Sequence, residues 1–259
     1  MSRPPTWRFP LGVNPALWEY ASSARLAREE ADYFAEDPLT RTDEAVLLDF
    51  FRVPCRLIDL GCGTGRLSLA FSRRKFEVTA VDLSVAMLEV LGRSATAQGL
   101  SVHRVRANLC RLEGLADTSF DAAICMYSTL GMISGTQARR SALASARRVL
   151  HPGGVLALHA HNLWLNLRDR QGRGWLLREM GRRILGRGTG DRRMTYRGIP
   201  GIVVHLYQWS ELREELIGAG FQINKVVALD SITAQPIRFP HLFPEIRAGG
   251  WIVFAERVR

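Results

Sequence analysis

The run Leu57-Ile58-Asp59-Leu60-Gly61-Cys62-Gly63-Thr64-Gly65-Arg66 restricts this chain more than any other part of it. An apolar strand leads into a turn with three glycines two residues apart, and a helix follows. Glycine accepts positive φ and lets the backbone come close to a ligand. The helix start presents N–H groups that have no partner inside the helix. The next strand ends in an acid, Asp82, within Val81-Asp82-Leu83-Ser84. A strand–turn–helix–strand unit of this kind holds a nucleoside cofactor, and its details discriminate between cofactors.

A dinucleotide turn usually reads G-x-G-x-x-G and sets its helix start against a pyrophosphate. Here the third glycine comes one residue early, as Gly61-x-Gly63-x-Gly65, and Asp59 precedes the first by two. A carboxylate there repels a pyrophosphate and suits a cationic amino group. This weighs against a nicotinamide-dependent oxidoreductase. A binding module without catalysis stays open beside an enzyme.

The surrounding pattern alternates strands and helices. Strands are expected at 56–60, 76–81, 101–107, 120–126 and 155–160, with helices at 66–74, 84–98 and 135–150. Ser84 is a good N-cap. The 120–126 strand is apolar throughout, as central parallel strands are. A helix at 210–219, closed by Gly220, precedes two last strands at 222–229 and 251–257. The fold class is α/β, a doubly wound Rossmann-like sheet with helices on both faces. Only a loop joins the last two strands, so they can pair as a hairpin and place one antiparallel strand in the sheet. Residues 1–15 read as an extended arm. From Pro15 to Phe51 the spacing is helical, with Pro38 dividing two helices and Thr42-Asp43-Glu44 starting the second.

With these motifs in place, the chain resembles the class I S-adenosylmethionine-dependent methyltransferases over roughly Arg56 to Arg257. The resemblance implies a seven-stranded sheet, mostly parallel with an antiparallel last strand, and S-adenosyl-L-methionine as the donor, leaving S-adenosyl-L-homocysteine. It implies that Asp59, Gly61, Gly63 and Gly65 wrap the methionine part, with Cys62 a small filler in the same loop. Asp82 would take both ribose hydroxyls, and Leu83 and Met87 would flank the adenine. Asn108, followed by Leu109, stands where the family often has an aspartate for the adenine amino group. Tyr127 falls near the transferred methyl. The division is then an N-terminal arm and helical lid at 1–51, with Trp18, Tyr20, Tyr33 and Phe34 available to cover the cofactor. A catalytic domain follows at 52–259, with a basic insertion at 163–200.

Ligands in such sheets sit at the carboxyl ends of the strands. His161 is the candidate base there, because histidine titrates near neutral pH, beside the alternative of a hydrogen-bonded strand-end histidine with a structural role. His159 lies two residues before it. His205, Tyr207, Gln208 and Trp209 can line an acceptor pocket or simply pack.

Charge is unevenly placed. The chain of 259 residues carries +10, and only Lys75 and Lys225 among its basic residues are lysine. Ten arginines lie from Arg168 to Arg197 against Asp169, Glu179 and Asp191. Leu176-Leu177, Met180 and Ile184-Leu185 recur at helical spacing there, as in a basic amphipathic helix. That segment suits RNA as a flexible phosphate-binding element, an anionic membrane surface, or solvent alone. A small-molecule acceptor is the first expectation and tRNA or other RNA the alternative. No apolar run is long enough to span a membrane, the N-terminus lacks a signal-peptide core, and Cys55, Cys62, Cys110 and Cys125 have neither disulfide nor zinc spacing. The expectation is a cytoplasmic protein with no metal.

Overall fold

The computed structural model describes residues 9–34 and 36–258. Much of the expected arm thus lies outside the described residues. Three helices open the fold: α1 (Pro15–Ser22), α2 (Ala24–Phe34) and α3 (Pro38–Phe50). Two were expected here, with the second starting near Thr42. Pro38 begins a helix rather than breaking one, because Asp37 caps it by accepting from the Leu39 N–H at 2.8 Å and proline is tolerated at the first helical position. Asp43 falls inside α3, where it is buried and takes both terminal contacts of Arg66 Nη2 at 2.8 Å.

The sheet follows: β1 (Arg56–Leu60), α4 (Arg66–Arg73), β2 (Glu77–Asp82), α5 (Val85–Ala97), β3 (His103–Arg106), β4 (Phe120–Cys125), α6 (Thr129–Met132), α7 (Thr136–Val149) and β5 (Leu150–His161). The chain returns through α9 (Trp209–Gly218), β8 (Phe221–Asp230), α10 (Pro244–Arg247) and β9 (Ala248–Arg257). The seven strands are ordered β3-β2-β1-β4-β5-β9-β8. Strand β9 runs antiparallel to both neighbours, with His161 opposite Gly250 and Val227 opposite Ile252. The sheet is parallel elsewhere, as expected.

Alternation along the strands divides the core into two faces. Ile58, Leu60, Trp251 and Val253 join Leu143, Leu212 and Leu216 on one side. Leu57, Ile252 and Phe254 join Leu47, Leu67 and Phe71 on the other. Each such side chain contributes about 1.5–3 kcal/mol by leaving water. Chain order reverses between β1 and β4, so the crevice at their carboxyl ends is the natural ligand position.

The insertion holds one helix, as its periodicity suggested, and a hairpin that was not expected. A 3-10 turn (Leu163–Leu167) leads into α8 (Arg170–Ile184), and a separate two-stranded sheet follows, β6 (Asp191–Tyr196) and β7 (Ile199–His205). The hairpin is local chemistry: Arg197 and Gly198 both adopt positive φ, +49° and +82°, the form that matches strand twist. The periodicity argument saw α8 and missed the hairpin, because β6 holds Asp191-Arg192-Arg193 and lacks an apolar alternation. Leu26 of α2 packs on Ile199 and Ile202 of β7, so the hairpin and the N-terminal helices form one cover.

Candidate functional site

The glycine-rich turn is pinned from below by β2. The N–H groups of Gly61 and Cys62 both donate to the Val81 carbonyl, at 2.8 and 3.0 Å. Gly61 and Gly63 have φ of +78° and +54°, a region that costs other residues about 1–2 kcal/mol. The Gly63 N–H donates to Asp82 Oδ2 at 2.9 Å and the Ser84 N–H to Oδ1 at 2.8 Å. The carboxylate is thereby fixed between the turn and the start of α5. An ionised carboxylate accepts about four hydrogen bonds, so each oxygen keeps capacity for another donor. Burial pushes the Asp82 carboxyl up, opposed by the backbone N–H groups of Ser84 and Gly63.

Asp59 is buried beneath the turn and accepts from Ser68 Oγ at 2.6 Å. Burial raises it to about 6, against the pull of that hydroxyl. A third acid comes from α2. Glu30 Oε1 accepts from the Thr64 N–H at 3.0 Å and from Thr64 Oγ1 at 3.3 Å, while Oε2 accepts from Tyr20 Oη at 3.2 Å. Arg197, at the hairpin tip, approaches Glu30 Oε2 to 3.7 Å and sits 4.6 Å from the Tyr33 ring centre. A Cβ on Gly63 would run into Glu30 Oε1. Residue patterning carried one signal for Glu30: it follows Leu26 and Ala27 at helical spacing and so shares their buried face.

These groups line a cavity of about 1190 Å³. Of the residues singled out from sequence, Asp59, Gly61, Cys62, Gly63, Asp82, Leu83, Met87, Asn108, Leu109 and Tyr127 all reach its wall. Gly65 does not: it caps α4 with φ of +83°, and a Cβ there would collide with Leu91 of α5. Its place is helix packing. Tyr20 of α1 and Phe34 of α2 line the cavity, whereas Trp18 packs on Phe9 and Tyr33 lies under Arg197. Glu30 and, from the hairpin, Tyr196 were not foreseen.

Asn108 is already engaged. Its Nδ2 donates to the Leu11 carbonyl at 2.9 Å and its Oδ1 accepts from the Cys110 N–H at 3.0 Å. It ties the chain before α1 to the exit of β3, and Oδ1 retains one acceptor position.

After β4, Tyr127 and Ser128 occupy positive φ in succession, +53° and +58°, and bulky residues adopt that backbone only under constraint. The constraint includes the Tyr127 hydroxyl, which donates to Asp37 beside the lid. Burial and then Asp37 drive the phenol far above its usual range, so Tyr127 remains protonated. His161 is not among the cavity-lining residues. Its ring lies edge-on to Tyr127 at 6.4 Å and to His159 at 4.9 Å. Burial lowers His161 to about 4 and His159 further below its usual value. His161 is therefore a neutral and weak base.

His205, Tyr207 and their neighbours lie away from the cavity. His205 bonds Asp191 through Nδ1 at 2.8 Å and Glu211 through Nε2 at 2.9 Å. Burial opposes its charge, but the two carboxylates outweigh burial and raise its pKa. Arg139 and Tyr207 are buried beside it. This cluster anchors the hairpin to α7 and α9, so packing is the reading that applies. The four cysteines are free thiols, and among the described residues no group of acids, histidines or cysteines could hold a metal.

Three acids converge on the glycine turn, which suits a cationic ligand and repels a pyrophosphate. Residues 57–154 match the family model described as a methyltransferase domain. The malonyl-[acyl-carrier protein] O-methyltransferase of Pseudescherichia vulneris is 36% identical over 142 residues, covering 55% of this chain and 49% of that protein. The chain spans about half the length of the curated relatives it matches. An S-adenosylmethionine-dependent methyltransferase from Methanosarcina mazei superposes with a TM-score of 0.64 at 21% identity, over 82% of this chain and 97% of that one. The 1,6-didemethyltoxoflavin-N1-methyltransferase of Burkholderia thailandensis, solved with S-adenosylhomocysteine, gives 0.62 at 18% identity, over 90% and 84%. Residues 57–154 thus match a methyltransferase domain, and the chain has the fold seen in S-adenosylmethionine-dependent methyltransferases.

Proposed function

We propose that the protein transfers a methyl group from S-adenosylmethionine to a small-molecule acceptor. The observation that carries this reading is the cavity at the carboxyl ends of β1, β2 and β4, where Asp82 is held by two N–H groups with acceptor capacity to spare. Its volume exceeds the ~300–1,000 Å³ usual for one small ligand, which leaves room for cofactor and a modest acceptor together.

When bound, the cofactor supplies a sulfonium methyl open to in-line displacement, so catalysis rests chiefly on alignment. The residues of this chain then bind, orient and exclude water. Gly61, Cys62 and Gly63 offer backbone at close approach, Asp59 and Glu30 supply negative charge, and Asp82 accepts from the ribose hydroxyls. Leu83, Met87 and Leu109 give an apolar bed for the base, with Asn108 at its edge. Tyr127 fixes the wall next to the reacting centre. Where an acceptor must lose a proton, His161 is the candidate at this strand end, and normal turnover in His161→Ala removes it. Residues 1–51 act as the lid and 52–259 as the catalytic part. Four free thiols suit a reducing compartment, the cytosol.

The relatives named above are a malonyl-[acyl-carrier protein] O-methyltransferase and an N1-methyltransferase of 1,6-didemethyltoxoflavin. They support a compact acceptor rather than a polynucleotide, and lid helices that close over the cavity support the same. Calorimetry against S-adenosylhomocysteine and NAD tests the donor: binding to the first alone is expected, and binding only to NAD sinks the reading.

A further inference from the structure

The arginine-rich helix α8 takes no part in the cavity. Its inner face is packed: Gly172, Leu176 and Glu179 are buried, and Arg183 pairs with Glu179 at 3.4 Å and Glu211 at 3.7 Å. Its outer face is apolar in the middle. Leu177 is 75% exposed, Ile184 85% and Leu185, just past the helix, 70%. At 3.6 residues per turn Leu177 and Ile184 point within about 20° of each other. Exposed arginines surround this ridge: Arg170, Arg173, Arg178, Arg182 and Arg187. Arg173 bonds the Leu167 carbonyl at 3.2 Å. Among the described residues the other four form no ion pair. Four guanidinium groups without counter-charge therefore rim three leucine and isoleucine side chains in water.

We infer that the outer face of α8 docks on an anionic phospholipid surface. The helix would lie in the plane of the interface, with Leu177, Ile184 and Leu185 below the headgroups and the arginines on the phosphates. Charge complementarity selects anionic lipid, since each basic residue near such a surface adds attraction. Shape suits a bilayer: three exposed apolar side chains along the helix and its end make a ridge that can sit among headgroups. A second copy of this helix would bring like charges together. RNA would meet the arginines but leave the apolar ridge wet, and no aromatic ring on this face is placed to stack a base. No helix among the described residues is long and apolar enough to cross a membrane, so the mode is lying on the surface.

Sedimentation of the full chain with sucrose-loaded vesicles tests this. Vesicles of 30% phosphatidylglycerol in phosphatidylcholine should carry it down, and phosphatidylcholine alone should not. Leu177→Ser with Ile184→Ser should weaken partition about tenfold, by removing buried apolar area. Arg178→Glu with Arg182→Glu should weaken it about 30-fold or more. Both sites are exposed, and unchanged S-adenosylhomocysteine binding certifies that each variant is folded. Partition that ignores Leu177 and Ile184 would overturn the proposal, reducing it to the attraction of any basic protein. So would no binding to anionic vesicles, or tighter salt-resistant binding to tRNA or to an acidic protein lost with the same substitutions.

Discussion

The donor side and the cover of this molecule are built on opposite plans. On the donor side, Gly61 to Asp82 hold one another through neighbours close in sequence: β2 carbonyl to turn N–H, turn N–H to Asp82, Asp82 to the start of α5. On the cover, every important contact joins distant segments. Glu30 meets Thr64, Tyr127 meets Asp37, and Arg197 meets Leu26 and Glu30. The first plan makes a cradle from backbone N–H groups and a single carboxylate, Asp82. The second makes a wall whose shape depends on several elements arriving together.

Substitutions separate the two. Gly65→Ala should have the largest effect, lowering stability by about 2–4 kcal/mol through positive-φ strain and overpacking on buried Leu91; denaturant titration reads it. Asp82→Ala should lower stability by about 1–3 kcal/mol, because the Gly63 and Ser84 N–H groups lose their acceptor, and weaken S-adenosylhomocysteine binding by about 2–3 kcal/mol, the loss of charged hydrogen bonds; unchanged affinity would end its ribose role. Glu30→Ala leaves the Thr64 N–H without its carboxylate, an effect of about 1–2 kcal/mol. If the cover governs exchange, that variant should speed cofactor dissociation in stopped flow more than it changes association.

Acidity should divide the regions by sign. Asp59 titrates near 6, and a cationic cofactor favours its ionised form. Cofactor affinity should therefore rise about tenfold from pH 5 to 7 and flatten in Asp59→Asn. His205 behaves oppositely. Its folded pKa is raised, so its contribution to stability is complete below its ordinary value near 6.5 and disappears as pH climbs through the raised one. Thermal unfolding should show the hairpin anchor weakening on the alkaline side, by about 2–4 °C, and His205→Gln should remove that slope.

The same contrast explains what could be read in advance. The turn, Asp82 and the parallel sheet follow from spacing and periodicity, which are local signals, and antiparallel β9 from the loop before it together with the family resemblance. Pro38 misled because the capping role of Asp37 outweighs the helix-breaking tendency of proline. The β6–β7 hairpin stayed hidden because Arg192 and Arg193 break the alternation expected of a strand. His161 was chosen for its chemistry and strand position, yet burial lowers its basicity and Tyr127 takes the cavity wall. Glu30 and Tyr196 belong to the cavity only because α2 and the hairpin fold over it, and no local pattern encodes that meeting.

The Arg197 contact carries a kinetic consequence. Its guanidinium holds the Leu26 carbonyl at 3.0 Å, faces the Tyr33 ring and neighbours Glu30, which in turn rests on the glycine turn. The hairpin tip, the second helix and the turn are thus links of one latch. If the proposed cofactor exchanges past α2, Arg197 has to part from Leu26 and Glu30, and the hairpin that carries it is held at its other end, through His205, to Glu211 of α9. Exchange of the proposed cofactor and the seating of the insertion would then be coupled through one hairpin.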